Sequence, residues 1–385
     1  MEVSDVVVSG VGATKFGELW DRGFSDLVRE AVGFALNDAS LSIKNIDALV
    51  VGNMLLSQIN NQAHVGAYAA ESIGHKESSF TVEGACASGG LAIRQAYLMV
   101  KSGELENVLV VGVEKMTDTP IEEITTYLVG ASSLREQFVG ATFPGLYGLM
   151  QRKYIKEHGV DGDDFAYVSQ KNHFHASKNK KAHFQREVSI NQINESDMVA
   201  DPIKLLHCSP ISDGAAAVVL SGSKKPKKGE VLVAGSSQAG DSLSLSYRKK
   251  LTSLEATKKA YKSLVKDVGF LNEDVDLLEV HDCFSIAEVM ALEDMGFCKA
   301  GKGLSLLKNG FGKLGSSEVV VNSSGGLKAC GHPVGATGVK QVVEIVDQLK
   351  KRCGERQVKK PFLGITHNVG GTGATVVMHA LRRAE

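Results

Sequence analysis

Leu36-Asn37-Asp38-Ala39, followed by Ile46-Asp47-Ala48-Leu49-Val50-Val51, returns 229 positions later as Val265-Lys266-Asp267-Val268, followed by Val275-Asp276-Leu277-Leu278-Glu279-Val280. Each copy reads as the end of a helix, a turn, and then a buried apolar strand. A second correspondence joins Cys86-Ala87-Ser88-Gly89 to His332-Pro333-Val334-Gly335. In both, a reactive side chain is followed by a glycine three residues on, an amphipathic stretch (91–100 and 339–349) and an apolar strand (108–113 and 362–366). Two halves of the same β/α order, with near-continuous Val/Ile/Leu strands, predict α/β layers whose sheets are buried on both faces. The first half is expected at 1–118 plus 206–227, where Asp213-Gly214-Ala215-Ala216-Ala217 opens a small-residue strand returning to its sheet. The second half is expected at 228–385, after the solvated run Lys224-Lys225-Pro226-Lys227-Lys228. Between them, 119–205 is richer in polar and aromatic residues, Tyr147 and Tyr154 among them, and reads as an insertion capping the site.

The 385 residues, 43% of them hydrophobic, are enough for two or three cores. A formal net charge of −1 gives no global basic field for nucleic acid. No apolar run approaches the roughly 20 residues that span a bilayer. The chain enters its first strand at Val6-Val7-Val8 without the charged and apolar regions of a signal peptide, so a cytoplasmic home is expected. The six cysteines, at 86, 208, 283, 298, 330 and 353, never come closer than 15 positions. That excludes a Cys-x-x-Cys knuckle and leaves each thiol as either filler or chemistry.

Ligands of α/β sheets gather beyond the C-terminal ends of strands. Cys86 lies in Gly84-Ala85-Cys86-Ala87-Ser88-Gly89-Gly90 before a helical stretch, whose N-terminus favours a thiolate and donates N–H groups to an oxyanion. Taken alone, a cysteine in such a small-residue turn is more often packing than nucleophile. Its repeat partner His332 supplies the base that thiolate catalysis needs. His281-Asp282-Cys283-Phe284 ends another buried strand, and Thr366-His367-Asn368-Val369-Gly370-Gly371-Thr372-Gly373 reads as a glycine loop after a strand at 362–365. His173-x-His175 with His183 lacks a Cys or carboxylate partner in pattern, so no metal site is expected. There is no phosphate-cradling P-loop sequence, and Gly10-Val11-Gly12 is a strand exit rather than a dinucleotide fingerprint.

These motifs together, with Asn322-Ser323-Ser324-Gly325-Gly326 and Gly331-His332-Pro333-Val334-Gly335-Ala336-Thr337-Gly338, resemble the thiolase family over nearly the whole chain. Within it they are most similar to the sterol-carrier-type and archaeal acetoacetyl-CoA thiolase branch. The resemblance implies a thiolase fold of two βαβαβαββ halves in five αβαβα layers with an inserted loop domain. It implies an acetyl-CoA C-acetyltransferase that exchanges two acetyl-CoA for acetoacetyl-CoA and free CoA, with no permanently bound cofactor. Cys86 would carry the acyl group and His332 take its proton. The branch departs from many thiolases: His367 stands where they carry a C-terminal Cys, and His-Asp-Cys-Phe replaces Asn-Glu-Ala-Phe. Cys283 would then deprotonate the second acyl-CoA, with Cys330 as its rival, and His281 would polarise the thioester oxygen. The N–H of Cys86 and that of Val369 or Gly370 would form an oxyanion hole. Ser209 and Phe284 would meet the pantetheine arm, and the basic segment holding Lys178 and Arg186 the nucleotide phosphates. A homodimer or tetramer is implied, and a complex with hydroxymethylglutaryl-CoA synthase through a zinc-containing OB-fold protein. Alternatives are a thiolase of broader chain length, a decarboxylative synthase on the same fold, and a non-catalytic scaffold subunit.

Overall fold

The computed structural model describes residues 5–316 and 318–385. The first half supplies β1 (Asp5–Ala13), β2 (Ala48–Gly52), β3 (Ser78–Val82) and β4 (Asn107–Glu114). A hairpin of β5 (Met198–Ala200) and β6 (Ile203–Lys204) belongs to the inserted region, after which β7 (Gly214–Ser223) returns to the first half. The second half supplies β8 (Val231–Gly240), β9 (Leu277–Glu279), β10 (Val320–Val321), β11 (Leu363–Gly370) and β12 (Thr375–Arg383). The strand order is β10-β9-β11-β12-β8-β1-β7-β4-β2-β3. Counted outward from the centre, β1-β7-β4-β2-β3 and β8-β12-β11-β9-β10 repeat one order. Their ladders also share one pattern, antiparallel next to the centre and parallel at the rim. The two five-stranded sheets are joined through the pair Val7↔Leu232.

Alternation along the strands sends their side chains to two different layers. Leu49, Val51, Leu109, Val111, Ala217 and Val219 pack with helices Phe24–Ala39 and Val65–Ile73 on the outside. Val50, Val108, Val110 and Val218 face helices Ser88–Lys101 and Val334–Leu349 on the inside. Those two helices lie between the sheets and touch strands of both, and helix Glu255–Val268 covers the far side of the second sheet. The result is five layers, αβαβα.

Two expectations change. The amphipathic stretch at 339–349 has almost no solvent face: in helix Val334–Leu349 every residue except Asp347 is buried, because sheets press on it from both sides. Its charges are matched internally, Lys340 by Glu279 at 3.3 Å and Glu344 by Arg356. Nor is 366–370 a loop. β11 continues through it, paired to β12 as far as Gly370↔Thr375, so His367 and Asn368 point to opposite faces.

The central helices meet backbone to backbone. A Cβ on Gly89 would lie 2.7 Å from the Gly335 carbonyl oxygen, and one on Gly338 would lie 2.2 Å from the Gly90 nitrogen. This contact brings the N-termini of both helices, and the loops that precede them, to one point. Between β4 and β7 the insertion folds as short helices, among them Phe143–His158 and Ala166–Ala176. Buried Asp213 pins its start, accepting from Lys115 Nζ at 2.7 Å and from the amides of Met116 and Thr117 at 2.7 and 2.9 Å. Among the described residues no helix is long and apolar enough to cross a membrane.

Candidate active site

Cys86 sits on a tight turn ahead of helix Ser88–Lys101. Ala85 there adopts a left-handed φ of 54°, and Ser88 Oγ ties the turn by accepting from the Gly84 amide at 3.0 Å and donating to the Ala85 carbonyl at 2.6 Å. A left-handed non-glycine residue is unusual, and here it aims the following side chain out of the turn. Burial pushes the Cys86 thiol up to about 12, against a hydrogen bond from the Gly371 amide that favours the thiolate. At rest Cys86 is a neutral thiol, which would need a base in order to act as a nucleophile.

Two imidazoles are within reach. The Cys86 sulfur and one ring nitrogen each of His281 and His332 all lie within 4.8 Å of one another. The His281 and His332 rings meet edge to face, with centroids 5.0 Å apart. Thr337 Oγ1 donates to the Pro333 carbonyl at 3.1 Å, so its contact with His332 Nδ1 at 2.7 Å is one in which the ring donates. The lone pair of His332 is thereby left on Nε2. Burial lowers the His332 pKa to about 3, which keeps the ring neutral. Ser212 Oγ holds the His332 amide at 3.3 Å, and buried Glu114 fixes the first turn behind it by accepting the Gly335 amide at 3.0 Å.

The second thiol is close by. Cys283 is buried, its pKa raised by burial and by the nearby Cys86 and Asp282, with the neighbouring Tyr147 hydroxyl acting against that rise. The Tyr147 hydroxyl also meets the Gly371 carbonyl at 3.1 Å, and its ring lies 4.6 Å from that of Phe284. The Gly371 peptide therefore touches the surroundings of both thiols, with its N–H toward Cys86 and its C=O toward Tyr147. Its φ of +59° is the conformation that makes this orientation available to glycine. Ser209 joins the same wall, its amide donating to the Cys283 carbonyl at 3.0 Å.

Other expected positions fall elsewhere. The amide facing Cys86 is that of Gly371, rather than of Val369 or Gly370, because those two residues are taken into the β11 ladder. His367 lies behind His281, its Nδ1 3.5 Å from the His281 amide and its Nε2 3.0 Å from Thr257, whereas Asn368 reaches both Cys86 and the His281 ring. Lys178 faces Glu355 at 3.7 Å on the wall of a separate cavity of about 660 Å³, and Arg186 is exposed at the surface. Cys330 lines that same cavity, 3.7 Å from Asn179 Nδ2. The rings of His173, His175 and His183 are each held by separate protein partners. Asp282 does not join the chemistry: it accepts from the Leu327 and Lys328 amides at 2.6 and 3.2 Å and anchors the Gly326–Cys330 turn. Thr337, Gly371, Asn368 and Tyr147 were all inside motifs or segments quoted above; Thr337 meets His332 within its own motif, whereas the roles of the other three depend on contacts between distant segments that no local pattern encodes.

Two family descriptions match the chain, the thiolase N-terminal domain over residues 6–224 and the thiolase C-terminal domain-like region over 237–383. An acetyl-CoA acetyltransferase of Methanothermobacter thermautotrophicus is 43% identical over 98% of this chain and 100% of that one. An acetyl-CoA acetyltransferase of Methanocaldococcus jannaschii is 44% identical, with 98% of each covered. Among solved structures, an Ltp2-ChsH2(DUF35) aldolase aligns with a TM-score of 0.84 at 22% identity, covering 99% of this chain and 98% of that one.

Proposed function

The chain belongs to the thiolase family, and from that premise we propose that it is an acetyl-CoA C-acetyltransferase working through an acyl-Cys86 intermediate. The observation that carries this reading is the convergence of Cys86, His281 and His332 within 4.8 Å beside a second buried thiol. His332 Nε2 takes the Cys86 proton as sulfur attacks the thioester carbon of acetyl-CoA. The N–H groups of Cys86 and Gly371 are aimed to hold the tetrahedral oxyanion. CoA thiolate then leaves and recovers the proton from His332. Cys283 passes its proton to the neutral His332 and, as thiolate, removes an α-proton from a second acetyl-CoA while the His281 Nε2–H steadies the enolate oxygen; the His332 imidazolium later returns the proton to the Cys86 thiolate. The carbanion attacks the acetyl-Cys86 carbonyl, the C–S bond breaks, and acetoacetyl-CoA departs with Cys86 regenerated. Two thiols are required because the sulfur of an acylated cysteine is a thioester sulfur, uncharged and too weakly basic to take an α-proton. CoA thioesters are the substrates, and no step calls for a resident cofactor. Ser209 and Phe284, beside Cys283, are assigned to the pantetheine arm.

An assay of thioester loss with acetoacetyl-CoA, then with longer 3-ketoacyl-CoA, tests the reading. Turnover of acetoacetyl-CoA supports it, turnover only of longer chains replaces it with the broader thiolase, and no turnover on any favours a scaffold subunit. Homo-oligomerisation is supported by the rim strand β3, which has one neighbour, β2, and partly exposed side chains. An unpaired edge of this kind is completed by a second copy. A DUF35-type partner is suggested by the aldolase likeness. A link to hydroxymethylglutaryl-CoA synthase rests on branch resemblance alone.

A further inference from the structure

Asn368 has no part in the steps above, yet it stands where the two halves are most tightly joined. Its Oδ1 accepts from the Gly90 amide at 3.0 Å. Its Nδ2 donates to the Cys86 carbonyl at 2.9 Å and lies 3.2 Å from His281 Nδ1. Two glycines keep the space for this carboxamide: a Cβ on Gly90 would lie 2.8 Å from Oδ1, and one on Gly338 would lie 2.3 Å from it. The orientation of the amide is fixed independently of His281. The Gly90 N–H demands an acceptor and the Cys86 carbonyl a donor, so Oδ1 and Nδ2 cannot be exchanged.

An amide nitrogen has protons to give and no lone pair to accept with. His281 Nδ1 must therefore be the acceptor, and the single proton of the neutral ring sits on Nε2. That nitrogen is buried and has no hydrogen-bond partner among the described residues, and the His281 ring lies beside Cys86 and His332. The titratable groups facing His281 are His332, His367 and the Cys86 thiol, none of them an anion at rest. A buried N–H without an acceptor costs about 1–3 kcal/mol, which is tolerated at a place where a ligand oxygen arrives.

We infer that Asn368 is a positioning residue: it holds His281 in the Nε2–H tautomer and so supplies the N–H that meets the oxygen of the bound thioester. The identity of that oxygen rests on the function proposed above, whereas the tautomer does not. The same proton withholds the Nε2 lone pair that the Cys86–His281–His332 trio would need to close on a metal ion.

The test uses the full chain labelled with 15N-histidine, with a His281→Asn variant to assign the ring signals. In the wild type, Nε2 of His281 is expected to be protonated and Nδ1 not. In Asn368→Asp the carboxylate draws the ring proton to Nδ1, so only the imidazolium form still offers an Nε2–H. Its kcat is expected to fall about 10²- to 10³-fold near pH 8, the loss seen when one oxyanion donor is removed, and to recover partly as the pH is lowered toward about 6. A purely structural role would lower activity without that acid-side recovery. A wild-type spectrum with the proton on Nδ1 overturns the inference, as does an Asn368→Asp enzyme with wild-type kcat and pH profile. If Asn368→Asp does not fold, the wild-type spectrum alone decides. An Nε2–H tautomer in a protein that cleaves no 3-ketoacyl-CoA leaves the positioning role standing and sinks the thiolase reading.

Discussion

Gly52-Asn53-Met54-Leu55 ends a strand of the first half, and His281-Asp282-Cys283-Phe284, 229 positions on, ends its counterpart in the second. The second position does the same work in both. Asn53 donates to the Val113 carbonyl at 2.9 Å and to Glu114 at 2.8 Å, and accepts from the Leu56 amide at 3.2 Å, just as Asp282 gathers the amides of Leu327 and Lys328. The first and third positions diverge. Gly52 has no room for a side chain, since its Cβ would lie 2.9 Å from Gly89 Cα, whereas His281 presents an unpartnered N–H beside Cys86. Met54 packs in the apolar cluster that also holds Cys86, whereas Cys283 approaches Cys86 from the other half, beside the Tyr147 hydroxyl. The duplication kept the residue that anchors the loop and changed those on either side of it.

The largest expected effect separates the two thiols. Cys283→Ala should lower thiolysis and condensation about 10²- to 10⁴-fold while acyl transfer to Cys86 persists, and Cys86→Ala should lose both. Rapid-quench mass spectrometry of the acyl-enzyme tells these apart, and an unimpaired Cys283→Ala enzyme breaks the comparison. Adding Met54→Cys to Cys283→Ala should restore nothing, because the first-half position faces packing.

Acid should expose a second asymmetry. Burial lowers His332, His367 and His379 in the second half to about 3, His173 in the insertion to about 3, and His207, where the chain returns to the first half, to about 4, so the second half holds the largest share. Unfolded histidines titrate near 6.5, so the unfolded chain takes up protons first. Stability is full above about pH 6.5 and falls on acidification, by about 1.4 kcal/mol per histidine for each pH unit below it. Thermal unfolding at pH 7.5 and 5.5, with proteolytic cuts mapped, should show a lower Tm in acid and early cleavage in the second half. Equal lability of both halves would contradict this.

Smaller effects are expected in the first half. Gly52→Ala should cost about 2–3 kcal/mol by driving β2 from helix Ser88–Lys101. Asn53→Ala should cost about 1–2 kcal/mol by leaving buried partners unpaired. Chemical denaturation measures both, and a neutral Gly52→Ala would mean that the helix contact yields.

Much of the site was legible because its residues sit at repeat-related or strand-end positions. Cys86, His332, His281 and Cys283 could be singled out from motif and spacing. What failed followed from the strand that was read as a loop. Once β11 runs to Gly370, alternation turns His367 to Thr257 and Asn368 to the site, and the free amide passes to Gly371. Lys178 illustrates a different limit, since a basic segment does not announce which carboxylate it will meet, and here it meets Glu355.

The sequence by itself determined the duplication, the α/β class and the two thiols, because apolar periodicity and glycine spacing are properties of neighbouring residues. Tertiary structure decided which nitrogen of His281 carries its proton, whereas the partner of His332 lies only five residues on in its own motif. Thr337 fixes His332 with a basic Nε2, Asn368 fixes His281 with a donating one, and the second of those contacts spans the pairing of β11 with its neighbours. One residue type thus performs two opposite tasks, and the difference lies in the hydrogen-bond partner that folding brings to the far side of each ring.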